Sequence, residues 1–153
     1  MPAIITSSAG PLCVSHSDAW KSVTHYTQTD TFIRLSPPSI ETRAVTATVL
    51  VSLVKRDAPT ELFLHEVFNA LKVEHGVYNL RINFQPGEDT ASLTYKLAIA
   101  DTGEPGQGDL QGLVVIRKYH GAFTRFDFVA SEAYYQAHYN EALIMSSAVD
   151  YIE

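Results

Sequence analysis

Apolar residues recur along this chain with two different periods, and the change of period marks out its elements. In TRAVTATVLVSLVKR, residues 42–56, the odd positions Val45, Ala47, Val49, Val51 and Leu53 form one apolar face. The even positions mix Thr46, Thr48 and Ser52 with Leu50 and Val54. Period two with β-branched residues predicts a long strand, partly covered on its second face. The period then lengthens. In DAPTELFLHEVFNALKVEHG, residues 57–76, Phe63, Leu64, Val67, Phe68 and Leu71 fall on one helical stripe. Asp57 or Thr60 suits its start, Pro59 its first turn and Gly76 its stop.

Alternation returns in VYNLRINF (77–84) and SLTYKLAIA (92–100), joined by a Pro-Gly turn, and this predicts a hairpin with one buried and one wetter face. GLVVIRKY and AFTRFDFV repeat the arrangement around His120-Gly121. The last segment, SEAYYQAHYNEALIMSSAVDYIE, predicts a helix capped by Ser131 and running to about Met145 or beyond. Residues 1–39 show the weakest pattern. Asp18, Ala19, Trp20 and Val23 suggest a short helix over 17–26, and TFIRL a short strand ended by Pro37-Pro38. The expected fold is α+β: a two-layer sandwich of a mostly antiparallel sheet of about five strands with two main helices. Residues 1–39 are expected to form an arm or irregular segment, and 40–153 one α+β domain.

Composition narrows the function classes. With 46% hydrophobic and 18% charged residues among 153, the chain is too apolar for a disordered polypeptide. A net charge of −6 without any Lys/Arg cluster argues against nucleic acid as a direct partner. The acid excess is uneven: residues 1–76 hold six bases and seven acids, residues 77–153 five and ten. No window has the length of a membrane helix, and MPAIITSSAGPL lacks the basic leader and apolar core of a secretion signal. A cytoplasmic or otherwise intracellular location is the expectation, and the single cysteine, Cys13, agrees with a reducing compartment.

Chemistry is sparse. Asp101-Thr102-Gly103, at the end of an apolar strand, resembles the catalytic turn of retroviral-type aspartic proteases, which implies a homodimer sharing a proton between two copies of Asp101. The pattern departs at Glu104, where those proteins carry a small residue, and the supporting glycine turn downstream is missing. As a strand exit, the same stretch is a long acidic loop carrying Asp101, Glu104 and Asp109. His65-Glu66 begins a zinc-protease helix motif that stops at Asn69, and Cys13 with His16 or His25 has the types, though not the demonstrated pairing, of a nucleophile and base. Neither a metal nor a cofactor is expected.

The aromatic group Tyr134, Tyr135 and Tyr139, with His138, spans too wide an arc of the final helix for every member to face one sheet. Tyrosine unites contact area with a polar handle, so these four residues are interface candidates. The chain therefore reads as a non-enzymatic interaction or assembly protein with a protein partner or itself as the partner: a viral or phage structural component, an adaptor or an inhibitor. The alternatives are the small protease-like enzyme using Asp101 and a small-ligand module with a cavity between sheet and helices.

Overall fold

The computed structural model describes residues 3–37, 47–97 and 109–152. Its strands are β1 (Ile4–Ala9), β2 (Leu12–Ser17), β3 (Lys21–Tyr26), β4 (Thr31–Ser36), β5 (Ala47–Val54), β6 (Tyr78–Asn83), β7 (Thr90–Leu97), β8 (Leu110–Tyr119), β9 (Ala122–Ser131) and β10 (Val149–Tyr151). Helix α1 (Thr60–His75) follows β5, and α2 (Glu132–Ser147) follows β9. The α+β class holds, with two helices and antiparallel pairing throughout the described ladders. The expectation of about five strands was too low: among the described residues there are ten, in two sheets.

The larger sheet runs β3-β4-β5-β9-β8-β7-β6. Its β6–β9 half is the predicted meander, and β5 lies beside β9 with Ala47 opposite Ala130 and Val54 opposite Phe123. β9 is thus an interior strand, covered on both faces, and this accounts for the aromatic density of AFTRFDFV. Phe126 and Phe128 point to one side and Phe123 to the other, each of them fully buried. Removing each ring from water contributes about 1.5–3 kcal/mol, so β9 is the centre of both cores.

One core joins Phe126, Phe128, Leu113, Val49 and Val51 to Leu12 and Val14 of β2, Trp20, and Ala142 and Met145 of α2. The other joins Phe123, Ile116, Ala91 and Leu93 to Phe63, Leu64, Val67 and Leu71 of α1. The helices therefore lie against opposite faces of the large sheet, giving three layers rather than the expected two. α1 stops where the sequence predicts, at Gly76 with φ 62°, whose N–H returns to the Leu71 carbonyl. Pro59 occupies its N-cap position and provides no side-chain cap. Ser131 is the N-cap residue of α2, yet its Oγ finds no partner among the described residues.

Within the segment expected as an arm or irregular stretch, TFIRL is the predicted strand, β4, whereas the helix expected over 17–26 is absent and residues 4–26 form β1–β3 instead. Two features conceal these strands. β3 is an edge strand exposed along its whole length, so it has no apolar alternation. In β2 the inward row is Leu12, Val14 and His16, and the buried histidine breaks the apolar pattern. β10, also unexpected, pairs with β2 through Val149–Val14 and Tyr151–Leu12, completing a three-stranded sheet that packs beside α2. None of the described helices is long and apolar enough to cross a membrane.

Candidate functional site

The four aromatic candidates of α2 fall into two pairs, each built on the i, i+4 spacing that stacks side chains along a helix. Tyr135 is buried and lies parallel to Phe128 of β9, with centroids 5.2 Å apart and planes 9° apart, and Tyr139 leans on it at 5.4 Å. Tyr134 stacks on His138 at 4.1 Å. His138 Nδ1 is 3.2 Å from Glu141 Oε2, and the Trp20 indole donates to Glu141 Oε1 at 2.7 Å. Glu141 thereby ties α2 to the start of β3. Burial pushes the Tyr135 hydroxyl well up, reinforced by Tyr139 and Tyr95, and burial followed by the Glu141 charge raises Tyr134. The Tyr134 and Tyr135 hydroxyls are therefore neutral donors at ordinary pH.

Beside this cluster a groove of about 540 Å³ separates α2 from strands β6–β8. The helix wall is Tyr135, Gln136 and Tyr139, and the sheet wall includes Arg81, Lys96 and Gln111. Strand register places them. Arg81 pairs with Thr94 and Lys96 with Gln111, and Thr94 and Gln111 stand beside Leu113 and Ala130, on the α2 side of the sheet. Between Tyr78 and Arg81 the ladder shifts at a bulge where Asn79 has φ 51°, a left-handed conformation that asparagine tolerates better than most residues. Among the described lining residues there are two cations and no carboxylate, in a chain of net charge −6. Among the described residues β6 is also an edge strand, so one side of its backbone ladder has no strand partner there.

No known family model matches the chain, and no curated protein matches its sequence. Solved structures share its fold. The solution structure of cyanobacterial PsbP (CyanoP) from Synechocystis sp. PCC 6803 is similar with TM-score 0.64 at 11% identity, over 99% of this chain and 94% of that one. The Saccharomyces cerevisiae Ran-binding protein Mog1p is similar with TM-score 0.63 at 8% identity, over 100% and 97%. PA94 from Pseudomonas aeruginosa, a protein of unknown function, gives TM-score 0.53 at 15% identity, over 92% and 94%. At these identities the likeness establishes the fold.

The other candidates named from sequence do not converge. Asp101 and Glu104 lie outside the described residues, and Asp109 sits half-buried just before β8. Cys13 and His16 point to opposite faces of β2; Cys13 faces Asp150 of β10, and burial followed by the Asp150 charge raises its thiol. His16 pairs with Ser7 instead, at 2.7 Å between Nε2 and Oγ, both buried. Its Nδ1 lies 2.8 Å from the Ser17 carbonyl. A carbonyl only accepts, so Nδ1 carries the proton and Nε2 accepts from the Ser7 hydroxyl. His25 stacks on Phe32 of β4 at 5.0 Å. His65 is exposed on α1, and the described residues hold no group of three or more metal-ligating side chains.

Sequence reasoning passed over Arg125 and Asp127. They stand two apart on the α1 side of β9 and form a bidentate pair, Nε to Oδ2 at 2.8 Å and NH2 to Oδ1 at 2.9 Å. Burial raises the Asp127 carboxyl, with Arg125 pulling it part of the way back. Burial works against the Arg125 guanidinium, but the Asp127 charge and hydrogen bonds outweigh it and lift its pKa. Next to the pair, burial and then the Asp127 charge push the Tyr95 hydroxyl up to about 12. The signal was two opposite charges at alternate positions in an otherwise aromatic strand.

Proposed function

We propose that this chain is a protein-interaction module, an adaptor that takes an acidic segment of a protein partner in the groove between α2 and β6–β8. The observation that carries this reading is the groove lining, which sets Arg81 and Lys96 opposite Tyr135 and Tyr139. Arg and Tyr are the residue types on which interface energy concentrates, and the local cations run against the overall negative charge. A further support is that a protein of the same fold, Mog1p, is described as Ran-binding. An adaptor suits this geometry better than an inhibitor or a viral or phage structural component. A single concave groove of about 540 Å³ is the size of a pocket that takes one short segment rather than a broad assembly face.

Fluorescence anisotropy with a labelled Glu/Asp-rich peptide containing one aromatic residue tests the reading. The wild-type chain should bind it, with affinity falling as salt rises. Arg81→Glu with Lys96→Glu should weaken binding about tenfold or more, because two attractive contacts become repulsive. Equal binding by this double variant, with its fold intact by circular dichroism, would remove the groove from the mechanism. Light scattering on the same samples tests self-association: a stable monomer at high concentration leaves a separate partner as the remaining form of the proposal.

A further inference from the structure

The opposite face of the large sheet holds a second cavity, about 440 Å³, beside the C-terminal end of α1. It takes no residue from α2 and shares only Tyr95 with the peptide groove. Its walls are aliphatic, with Leu50 and Val54 of β5, Leu71 of α1, and Val77, Leu97 and Val129 around them. Arg125 and Asp127 also line it, with the polar side chains of Tyr95, Thr48 and Ser52.

We propose that this cavity binds a small uncharged amphipathic molecule with an aliphatic body and a carbonyl head, such as a medium-chain acyl amide or ester. The volume lies within the usual range of small-molecule sites, and the balance of apolar wall with a few convergent polar groups is typical of them. The ion pair is the informative part. β9 is otherwise aromatic here, with Phe123, Phe126 and Phe128 fully buried, and a hydrophobic pair at positions 125 and 127 would serve stability equally well or better. Stability alone therefore does not explain the pair.

The donor count says what it offers. A guanidinium has five N–H groups; Asp127 takes one from Nε and one from NH2, leaving three on the outer edge of Arg125. Those donors suit an acceptor. Arg125 and Asp127 already neutralise each other, so an added carboxylate would place a second negative charge beside Asp127 in a poorly solvated site. An added ammonium would meet the outer edge of Arg125. A neutral carbonyl satisfies the donors without either conflict, and its chain lies against the leucines and valines.

The test is isothermal titration with saturation-transfer NMR on the full chain, using octanamide, octanoate and octylamine as probes of one chain length. Octanamide should bind about tenfold or more tightly than the other two, the effect of one buried polar group left unmatched. Thr48→Trp, at the exposed edge of the cavity, should weaken octanamide about tenfold or more; Leu50→Phe serves in its place if that variant fails to fold. Arg125→Met with Asp127→Leu should keep the fold and lose the preference among the three. The proposal is overturned if the wild-type chain binds none of the probes, or binds all three alike. It is equally overturned if octanamide binding is unchanged when the cavity is filled.

Discussion

Asp127→Asn removes one charge from the centre of the fold and almost no volume. In the wild-type chain the carboxylate takes two hydrogen bonds from Arg125, and the side chains are 26% and 16% exposed. The variant leaves the guanidinium opposite an amide that returns one acceptor oxygen and no charge. Breaking a buried pair from one side costs about 3–5 kcal/mol, because the surviving charge has already lost its water. A quarter of the Arg125 side chain still reaches solvent, which places this case at the low end, about 3 kcal/mol. Against a total stability of about 5–15 kcal/mol, that loss is readily measured.

Urea denaturation followed by the fluorescence of the single tryptophan, Trp20, is a suitable assay. With m-values of about 1–3 kcal/mol/M, the midpoint should fall by about 1–3 M while the slope stays constant. Arg125→Met with Asp127→Leu removes both charges and should come within about 1 kcal/mol of wild type. The decisive comparison is therefore single against double. A single variant costing under about 1 kcal/mol, or a double variant less stable than the single, would refute the assignment of Arg125 and Asp127 as a desolvated pair.

Three further outcomes follow from neighbouring contacts. Tyr95 titrates at 10.0 when exposed but about 12 when folded, so its contribution is fully present below pH 10 and is lost as pH rises to about 12. At 1.36 kcal/mol per unit this is about 2–3 kcal/mol, and stability measured across that window should fall less steeply in Tyr95→Phe. A Cβ at Gly112 would run into the buried Tyr95 ring, so Gly112→Ala should destabilise by about 1–3 kcal/mol, relieved in a double variant with Tyr95→Leu. Ser7→Ala leaves His16 Nε2 buried without its donor and should cost about 1–3 kcal/mol, whereas Ser7→Ala with His16→Phe should recover most of it by the same urea assay.

The parts of this fold legible in the sequence are those whose two faces differ. α1 and β7 each carry an apolar stripe against a wetter one, and Gly76 ends α1 where its left-handed conformation is needed. β1–β3 lack that contrast for opposite reasons. β3 is wet on both faces, and the inner rows of β1 and β2 spend positions on Ser7 and His16, polar groups that satisfy each other only across the hairpin. Pairing between residues nine apart leaves no local period. β10 is harder still, since three residues after α2 become a strand only because β2 offers them an edge.

The candidate site was half legible for a related reason. Tyr134, Tyr135, His138 and Tyr139 are visible as a group because a helix brings i and i+4 together, and the structure stacks those pairs. Arg81 and Lys96 were invisible because each occupies the polar position of a well-alternating strand, where a solvated cation needs no explanation. What changes their meaning is α2, returning from β9 to lie over the side of the sheet on which they stand. A polar row that would otherwise face bulk water becomes one wall of a groove, and the cations acquire a direction. Arg125 and Asp127 underwent the reverse change on the other face: beside α1 and next to Phe123 they look like lapses in a hydrophobic strand, yet together with Tyr95, Thr48 and Ser52 they form the polar part of a cavity whose other walls are leucines and valines. In both cases the layer above the strand, rather than the strand itself, decides whether a charge is solvent-facing or part of a site.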